Sequence, residues 1–330
     1  MDVSFPSICP LCSETRRYLY DWKGYGLYRC VTCETESVHP LPGGEDLERF
    51  YQSISGKKMV RWEGRLELVR AAFDGYLERY RELTGVATPE RFLDVGGGVG
   101  YYARAAEDRG VSAYVVDWAD DALRFASRTL GVRKVVCANV QRCADVFRPR
   151  SFDFILARHT IEHVLDPQLF LAQLASALRR GGVLQIETPN TASREQLRHP
   201  GVMLASYRQI RAANPGMAAV PAAARTLGKS VSGVNPPKHL WGFTPKGLTL
   251  LLERHGFEVL RVESAVAGHP TFDPLFFDLH AERARSRFSA IASVWRRLVG
   301  PAFAGRGTNL AVTARHAETA RAPAAADRPC

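Results

Sequence analysis

Nowhere does the 330-residue chain run uninterrupted through the roughly 18 apolar residues a membrane span requires, so no part of it is expected in a bilayer. Met1 to Pro10 lacks a basic patch leading into an apolar stretch, so no export signal is expected and the cytoplasm is the expected compartment. Acidic side chains are in deficit: 34 Asp and Glu against 44 Lys and Arg leave a net charge of +10. Such an excess suits an anionic partner, for example RNA, a phosphate-bearing molecule or an acidic carrier protein. Much of it, however, is arginine at Arg283, Arg285, Arg287, Arg296 and Arg297, where a solvated helix face is the simpler account. No internal repeat is present, and 46% hydrophobic residues supply a sizeable core with room for one small extra module.

Cysteine is scarce and unevenly placed. Of seven, Cys9, Cys12, Cys30 and Cys33 crowd into the first tenth of the chain, whereas Cys137, Cys143 and Cys330 are scattered. Two Cys-x-x-Cys pairs separated by seventeen residues match the four-thiolate zinc template. A closed set of four thiolates leaves no position for substrate, so this zinc would be structural, stabilising a module too small to fold on its own burial. Two disulfides are the competing reading, which a reducing cytoplasm disfavours.

Five segments are expected. Residues 1–42 form the zinc knuckle with a hairpin, and 43–89 a helical lead-in with Leu66, Val69, Ala72, Phe73, Tyr76, Leu77 and Tyr80 at three- and four-residue intervals. Residues 90–315 form an α/β domain, Rossmann-like, with a mostly parallel sheet and helices on both faces. Its strands are expected at 91–95, 113–117, 134–138, 152–157, 183–187, 257–262 and 308–313. The clearest helices are 167–179, stopping at Gly181-Gly182, and 244–255, with a further helical stretch at 276–298. Residues 191–238 break the rhythm and read as a helical lid insertion, and 316–330 as a disordered tail.

The segment Phe92-Leu93-Asp94-Val95-Gly96-Gly97-Gly98-Val99-Gly100 places glycines at alternate positions after an apolar strand and before a helix, a turn tight enough for close ligand approach. About twenty residues on, Asp117 ends the next strand, where its carboxylate can accept from both hydroxyls of a ribose. Trp118 beside it can flank the adenine. The pattern is G-x-G-x-G and not the G-x-G-x-x-G of dinucleotide sites, which argues against NAD.

In this order the motifs resemble the class I S-adenosylmethionine-dependent methyltransferases, small-molecule branch. Asp94 to Gly100 looks like the first motif of that family, Asp117 like its ribose-binding acid, and Ala138-Asn139-Val140 like the loop meeting adenine. Phe152 to Ile155 with His159, Ile161-Glu162-His163-Val164 and Asp166-Pro167 resembles its fourth-strand region, and Leu178 to Leu184 with Thr188-Pro189-Asn190 its fifth. His239 to Thr244 and Gly256-Phe257 extend the likeness, which covers residues 90–315. Asn139 departs from the family, which more often has aspartate there.

The resemblance implies S-adenosylmethionine held by Asp94, Gly96, Gly98, Gly100, Asp117, Trp118, Asn139, Val140 and His159, and a methyl transferred to another molecule. The candidate bases are His159 just past the fourth strand, His163 expected one helical turn on, and His239 after the insertion. His159 and His163 with Glu162 could instead hold a metal, a weaker alternative. The expected acceptor is a small molecule, with oxygen favoured over carbon. It is expected to be anionic or carrier-bound, because the insertion carries Arg194, Arg198, Arg208, Arg211, Arg225 and Lys229. Two other readings stand beside this one: an RNA methyltransferase, and a non-catalytic scaffold that binds S-adenosylmethionine.

Overall fold

Short apolar runs separated by amphipathic ones build a parallel sheet because each strand buries both faces and needs a helix to cross back. The computed structural model describes residues 7–59, 66–193, 200–228, 233–265 and 307–317. The helix expected at 276–298, its arginines, Cys330 and the tail beyond 317 lie outside the described residues. Among the described residues, no helix is long and apolar enough to cross a membrane.

The large sheet takes seven strands: β4 (Arg91–Val95), β5 (Ser112–Asp117), β6 (Val135–Cys137), β7 (Phe152–Arg158), β8 (Leu178–Pro189), β10 (Phe257–Ala265) and β11 (Asn309–His316). Their order is β10-β11-β8-β7-β4-β5-β6. Pairs within β4 to β8 are parallel, and β11 alone runs against its neighbours β8 and β10. One face is covered by α2 (Leu66–Thr84) and α3 (Tyr101–Glu107), whose buried side chains share a core with Phe92, Val115 and Phe154. The rings of Phe73 and Phe92 lie 5.1 Å apart, and those of Tyr80 and Phe154 5.8 Å. The opposite face carries α5 (Pro167–Ala177) and α8 (Pro245–Arg254) through Phe170, Leu174, Leu248 and Leu251.

Two expectations are corrected. The helix beginning at Pro167 is capped by Asp166, whose carboxylate accepts from the Gln168 and Leu169 N–H groups, but it ends at Ala177, not Arg179. Leu178 already pairs with Phe152, and the next paired residue of β7, Phe154, faces Val183. Gly181, at φ 72°, therefore serves a bulge within β8 and not a helix terminus. Likewise His159 to Asp166 forms turns and bends, so His163 does not stand one helical turn from His159. His159 itself takes φ 49°, and its N–H donates to the Glu187 carbonyl at 2.7 Å, which bends the chain away from a helix.

The lead-in contains two helices, α1 (Gly44–Met59) and α2, and the insertion contains α6 (Pro200–Ala213) and α7 (Ala219–Gly228). The cysteine module forms an antiparallel sheet of β1 (Arg16–Trp22), β2 (Tyr25–Cys30) and β3 (Glu36–His39), which β9 (Trp241–Gly242) extends. The knuckle is thus joined to the chain just beyond His239. It also rests on α8, where Arg254 donates to the Leu11 carbonyl at 2.9 Å and Thr244 to that of Cys33 at 3.4 Å.

Gly247, in the first turn of α8, faces this seam. Alanine is the better helix former by about 1 kcal/mol. A Cβ there, however, would stand 2.7 Å from the Cys33 carbonyl oxygen, a backbone atom with little freedom to yield. Overpacking of about 1–3 kcal/mol exceeds the propensity gain. Gly247→Ala is therefore expected to lower stability in denaturant titrations, and a neutral or stabilised variant would show that the knuckle is not held firmly against α8.

Candidate active site

At the carboxyl end of β4 the chain turns back on itself through three left-handed glycines, Gly96, Gly98 and Gly100, with φ of 69°, 54° and 76°. Gly100 passes so near α4 (Asp120–Arg128) that a Cβ would meet the Ala126 methyl at 2.9 Å. Gly98 differs: only Asp117 Oδ2 comes within 4.0 Å of a Cβ built there, so the backbone is open on that side. Its N–H donates to Asp117 Oδ2 at 2.9 Å, while Oδ1 of the same carboxylate accepts from the Ala119 N–H at 2.9 Å. The acid is thereby held at the glycine turn as the sequence pattern requires.

Asp94 is buried below the turn, and its Oδ2 accepts no hydrogen bond. Burial is the main cause that pushes its carboxyl up to about 7, with the Arg158 charge opposing and that of Asp117 adding. Arg158 is committed beneath the site: its Nε donates to Glu187 Oε2 at 2.8 Å, its guanidinium lies 4.5 Å from the Tyr102 ring centroid, and the Tyr76 hydroxyl donates to the same carboxylate. Asn139, at the end of β6, caps the short 3-10 helix Val140–Asp145 by accepting the Gln141 N–H at 2.9 Å. Trp118 follows Asp117 directly, and its ring lies 5.5 Å from that of Tyr51 on α1.

Tyr51 leads from this half of the site to the other, because its ring is also 5.4 Å from the imidazole of His163. Its hydroxyl donates to the Lys238 carbonyl at 2.6 Å, and His163 Nδ1 is 2.6 Å from both oxygens. His239 stacks near His163, with ring centroids 4.9 Å apart, and its Nδ1 faces the Gly233 carbonyl at 3.3 Å. Between them Glu162 is 1% exposed. Thr188 donates to its Oε2 at 3.0 Å, and its Oε1 lies 3.3 Å from His159 Nδ1 and 3.8 Å from His163 Nε2. Burial opposes ionisation of Glu162, yet the neighbouring imidazoles, His163 first, outweigh it and hold the carboxyl down to about 2. Burial also drives His239 down to about 3, so that imidazole is neutral near pH 7.

All three candidate histidines thus converge, but on a hub, Glu162, that the sequence singles out only as a neighbour. The two segments are fastened by backbone: the Leu240 N–H donates to the Glu162 carbonyl at 2.8 Å and the Trp241 indole to that of Val164 at 2.8 Å. Tyr51 carries no sequence signal, since it reaches His163 across 112 positions of chain. Among the described residues, the insertion arginines do not gather at the site. Arg225 donates to the Leu19 carbonyl of β1 at 2.6 Å, Arg211 to that of Met217, and Arg208 is exposed. Arg194, Arg198 and Lys229 lie outside the described residues.

At the knuckle all four cysteines are buried and their sulfurs lie within 4.8 Å of one another. Cys9 and Cys33 are 3.8 Å apart and Cys12 and Cys30 3.3 Å, with no disulfide among them. Each Cys-x-x-Cys is followed by a left-handed residue, Ser13 at φ 63° and Glu34 at φ 61°, so the two halves repeat one backbone turn. The N–H groups of Thr32 and Cys33 both point at Cys30 Sγ, at 3.4 Å.

Residues 68–262 match a family described as a methyltransferase domain. Among curated relatives, the ubiquinone biosynthesis O-methyltransferase of Idiomarina loihiensis is 32% identical over 105 residues, covering 31% of this chain and 43% of that protein. Its namesake from Parvibaculum lavamentivorans is 34% identical over 105 residues, covering 30% and 40%. The chain thus spans less than half the length of these two relatives. Among solved structures, the 1,6-didemethyltoxoflavin-N1-methyltransferase of Burkholderia thailandensis superposes with a TM-score of 0.48 at 15% identity, covering 92% of this chain and 99% of that one. The glycine turn, the acid that braces it and the two strands that carry them, β4 and β5, lie within the matched span, and the chain belongs to the methyltransferase-domain family.

Proposed function

We propose that this protein transfers a methyl group from S-adenosylmethionine to an oxygen atom of a small-molecule acceptor, within a scaffold braced by a structural zinc at the knuckle. The observation that carries the reading is the braced turn, with Gly98 open to a ligand and Asp117 fixed one strand away. Two further features fit the nucleoside. The Asp117 carboxylate at the end of β5 suits the ribose hydroxyls, and the unpaired Oδ2 of buried Asp94 suits the ammonium group of the methionine portion. Trp118 and Val140 would flank the adenine, with Asn139 at its edge.

When bound, S-adenosylmethionine supplies an activated methyl, which the acceptor oxygen attacks as the carbon–sulfur bond breaks and its electron pair returns to sulfur. The residues then have two tasks, to align the acceptor and to take its proton. His159 is assigned the second, because its left-handed backbone holds it at the rim of β7 with Nδ1 turned toward Glu162. A small acceptor is favoured over RNA because Arg211 and Arg225 of the insertion are spent on protein carbonyls. The relatives named O-methyltransferases support oxygen.

For zinc, arms of about 2.3 Å to four sulfurs in a tetrahedron give edges of about 3.8 Å, against 3.8 Å for Cys9–Cys33, 3.3 Å for Cys12–Cys30 and no more than 4.8 Å for any pair. Cys9, Cys12, Cys30 and Cys33 would hold the ion, and the N–H groups aimed at Cys30 would stabilise its thiolate.

Calorimetry with S-adenosylmethionine tests the first claim: saturable heat is expected. Asp117→Ala, losing hydrogen bonds to a charged acceptor worth about 1.5–3 kcal/mol each, should weaken binding at least tenfold; equal affinity would sink the assignment. With labelled S-adenosylmethionine, label is expected in phenols or other hydroxylated small molecules and not in RNA, and RNA labelling would reverse the acceptor class. His159→Gln, assayed at saturating S-adenosylmethionine, should lower kcat by about 10²–10⁴. By elemental analysis, Cys30→Ser should hold one zinc fewer per chain than the unaltered protein and melt at a lower temperature; unchanged zinc would remove the knuckle assignment.

A further inference from the structure

Three polar side chains at the acceptor end of the site are arranged in a way that base catalysis by His159 does not account for. One ligand-capable atom from each of Glu162, His163 and His239 lies within 4.8 Å of the other two. The protonation of both imidazoles follows from what they touch. A carbonyl oxygen only accepts, so His163 Nδ1, 2.6 Å from the Lys238 carbonyl, carries the proton, and Nε2 presents its lone pair toward Glu162. By the same rule His239 Nδ1 donates to the Gly233 carbonyl, leaving its Nε2 as the lone-pair nitrogen. Glu162 Oε2 is satisfied by Thr188, while the buried Oε1 faces imidazoles, with His159 Nδ1 at 3.3 Å and His163 Nε2 at 3.8 Å.

Two imidazoles and a largely buried carboxylate are gathered here, a set of two nitrogen donors and one oxygen donor that suits a divalent cation. We infer that Glu162, His163 and His239 form a second metal site, distinct from the four cysteines, that takes one divalent ion of borderline character such as Mn²⁺, Fe²⁺ or Zn²⁺. Each ligand already has the support that such sites use: an imidazole N–H fixed on a backbone carbonyl twice over, and a carboxylate fixed by a hydroxyl. Three protein ligands leave positions open, and in the methyltransferase reading, on which the ion's role but not its binding rests, an acceptor oxygen would take one. A hydroxyl held there loses its proton more readily, and His159 is placed to receive it. The ligand set differs from the His159, His163 and Glu162 trio considered in the sequence, because the chain from His159 to His163 is not helical and His239 arrives from the far side of the insertion.

Manganese separates the two sites, since it favours nitrogen and oxygen ligands over thiolates. The full-length protein, stripped with a chelator, is titrated with Mn²⁺ and free ion is read by electron paramagnetic resonance, with S-adenosylmethionine calorimetry on the same sample. One bound Mn²⁺ per chain is expected, displaced by Zn²⁺. Glu162→Gln and His239→Gln should abolish it, and Thr188→Val, which removes only the carboxylate's support, should weaken it about ten- to hundredfold. His159→Asn should keep the stoichiometry of one. Thermal melting of every variant distinguishes loss of the ion from loss of the fold, and Thr188→Val carries the test should His239→Gln not fold. An absence of bound Mn²⁺, or equal binding in all variants, overturns the site, as does its loss in His159→Asn alone. Heat from S-adenosylmethionine without Mn²⁺ binding would defeat the metal site and spare the methyltransferase reading; Mn²⁺ binding without that heat would do the reverse.

Discussion

A pair of backbone hydrogen bonds holds this protein's chemistry together. The carbonyl of Glu162 accepts from Leu240 and, more weakly, from Trp241 at 3.3 Å, and so joins the turn after β7 to the chain that returns from the insertion. Without that clasp, His239 would have no fixed relation to His163, and Glu162 would lose one wall of the enclosure that excludes water from it. The indole of Trp241 reinforces the joint from the side by reaching the Val164 carbonyl. Because the groups fastened are main-chain atoms, the site depends on chain geometry more than on the identity of the residues that span it.

The same joint explains why a cysteine module belongs in this chain. β9, immediately after His239, is the fourth strand of the knuckle sheet, so the module anchors the returning segment. The insertion is tied to the same module: the Asn214 side chain exchanges hydrogen bonds with the Asp21 backbone at 3.1 and 2.9 Å, and Arg225 reaches Leu19. The knuckle braces the side of the molecule that holds His239, whereas the glycine turn and Asp117 rest on β4, β5 and their loops. The cysteine module supports one side of the molecule and glycine geometry the other, so the two rest on separate physical supports.

Much was legible from residues alone, because its causes are local. A strand that must turn within a few residues needs glycine, so Gly96 to Gly100 announced the loop, and the spacing to Asp117 follows from one helix and one strand of ordinary length. Cysteine pairs closing on one point must be near in sequence as well, and Cys9, Cys12, Cys30 and Cys33 are. The parallel strands are visible as apolar runs because both faces are buried. The errors also had local causes. Gly181-Gly182 reads as a helix stop but serves a bulge, since pairing of Leu178 with Phe152 outweighs the propensity of the last helical residues. His159 and His163 fit helical spacing, yet the hydrogen bond from His159 to Glu187 bends the chain first.

What the order of residues determined, then, was every element whose physics is short-ranged: the glycine turn, the acid at the end of the next strand, the cysteine cluster and the alternation of strand and helix. Only the tertiary structure decided which groups meet. Tyr51 reaches His163 from a helix 112 residues earlier, Thr188 supports Glu162 from the adjacent strand, and His239 returns after an insertion to face both. No local pattern encodes those encounters, because they are set by the register of β7 on β8 and of β9 on β3, and strand register is a property of the assembled sheet.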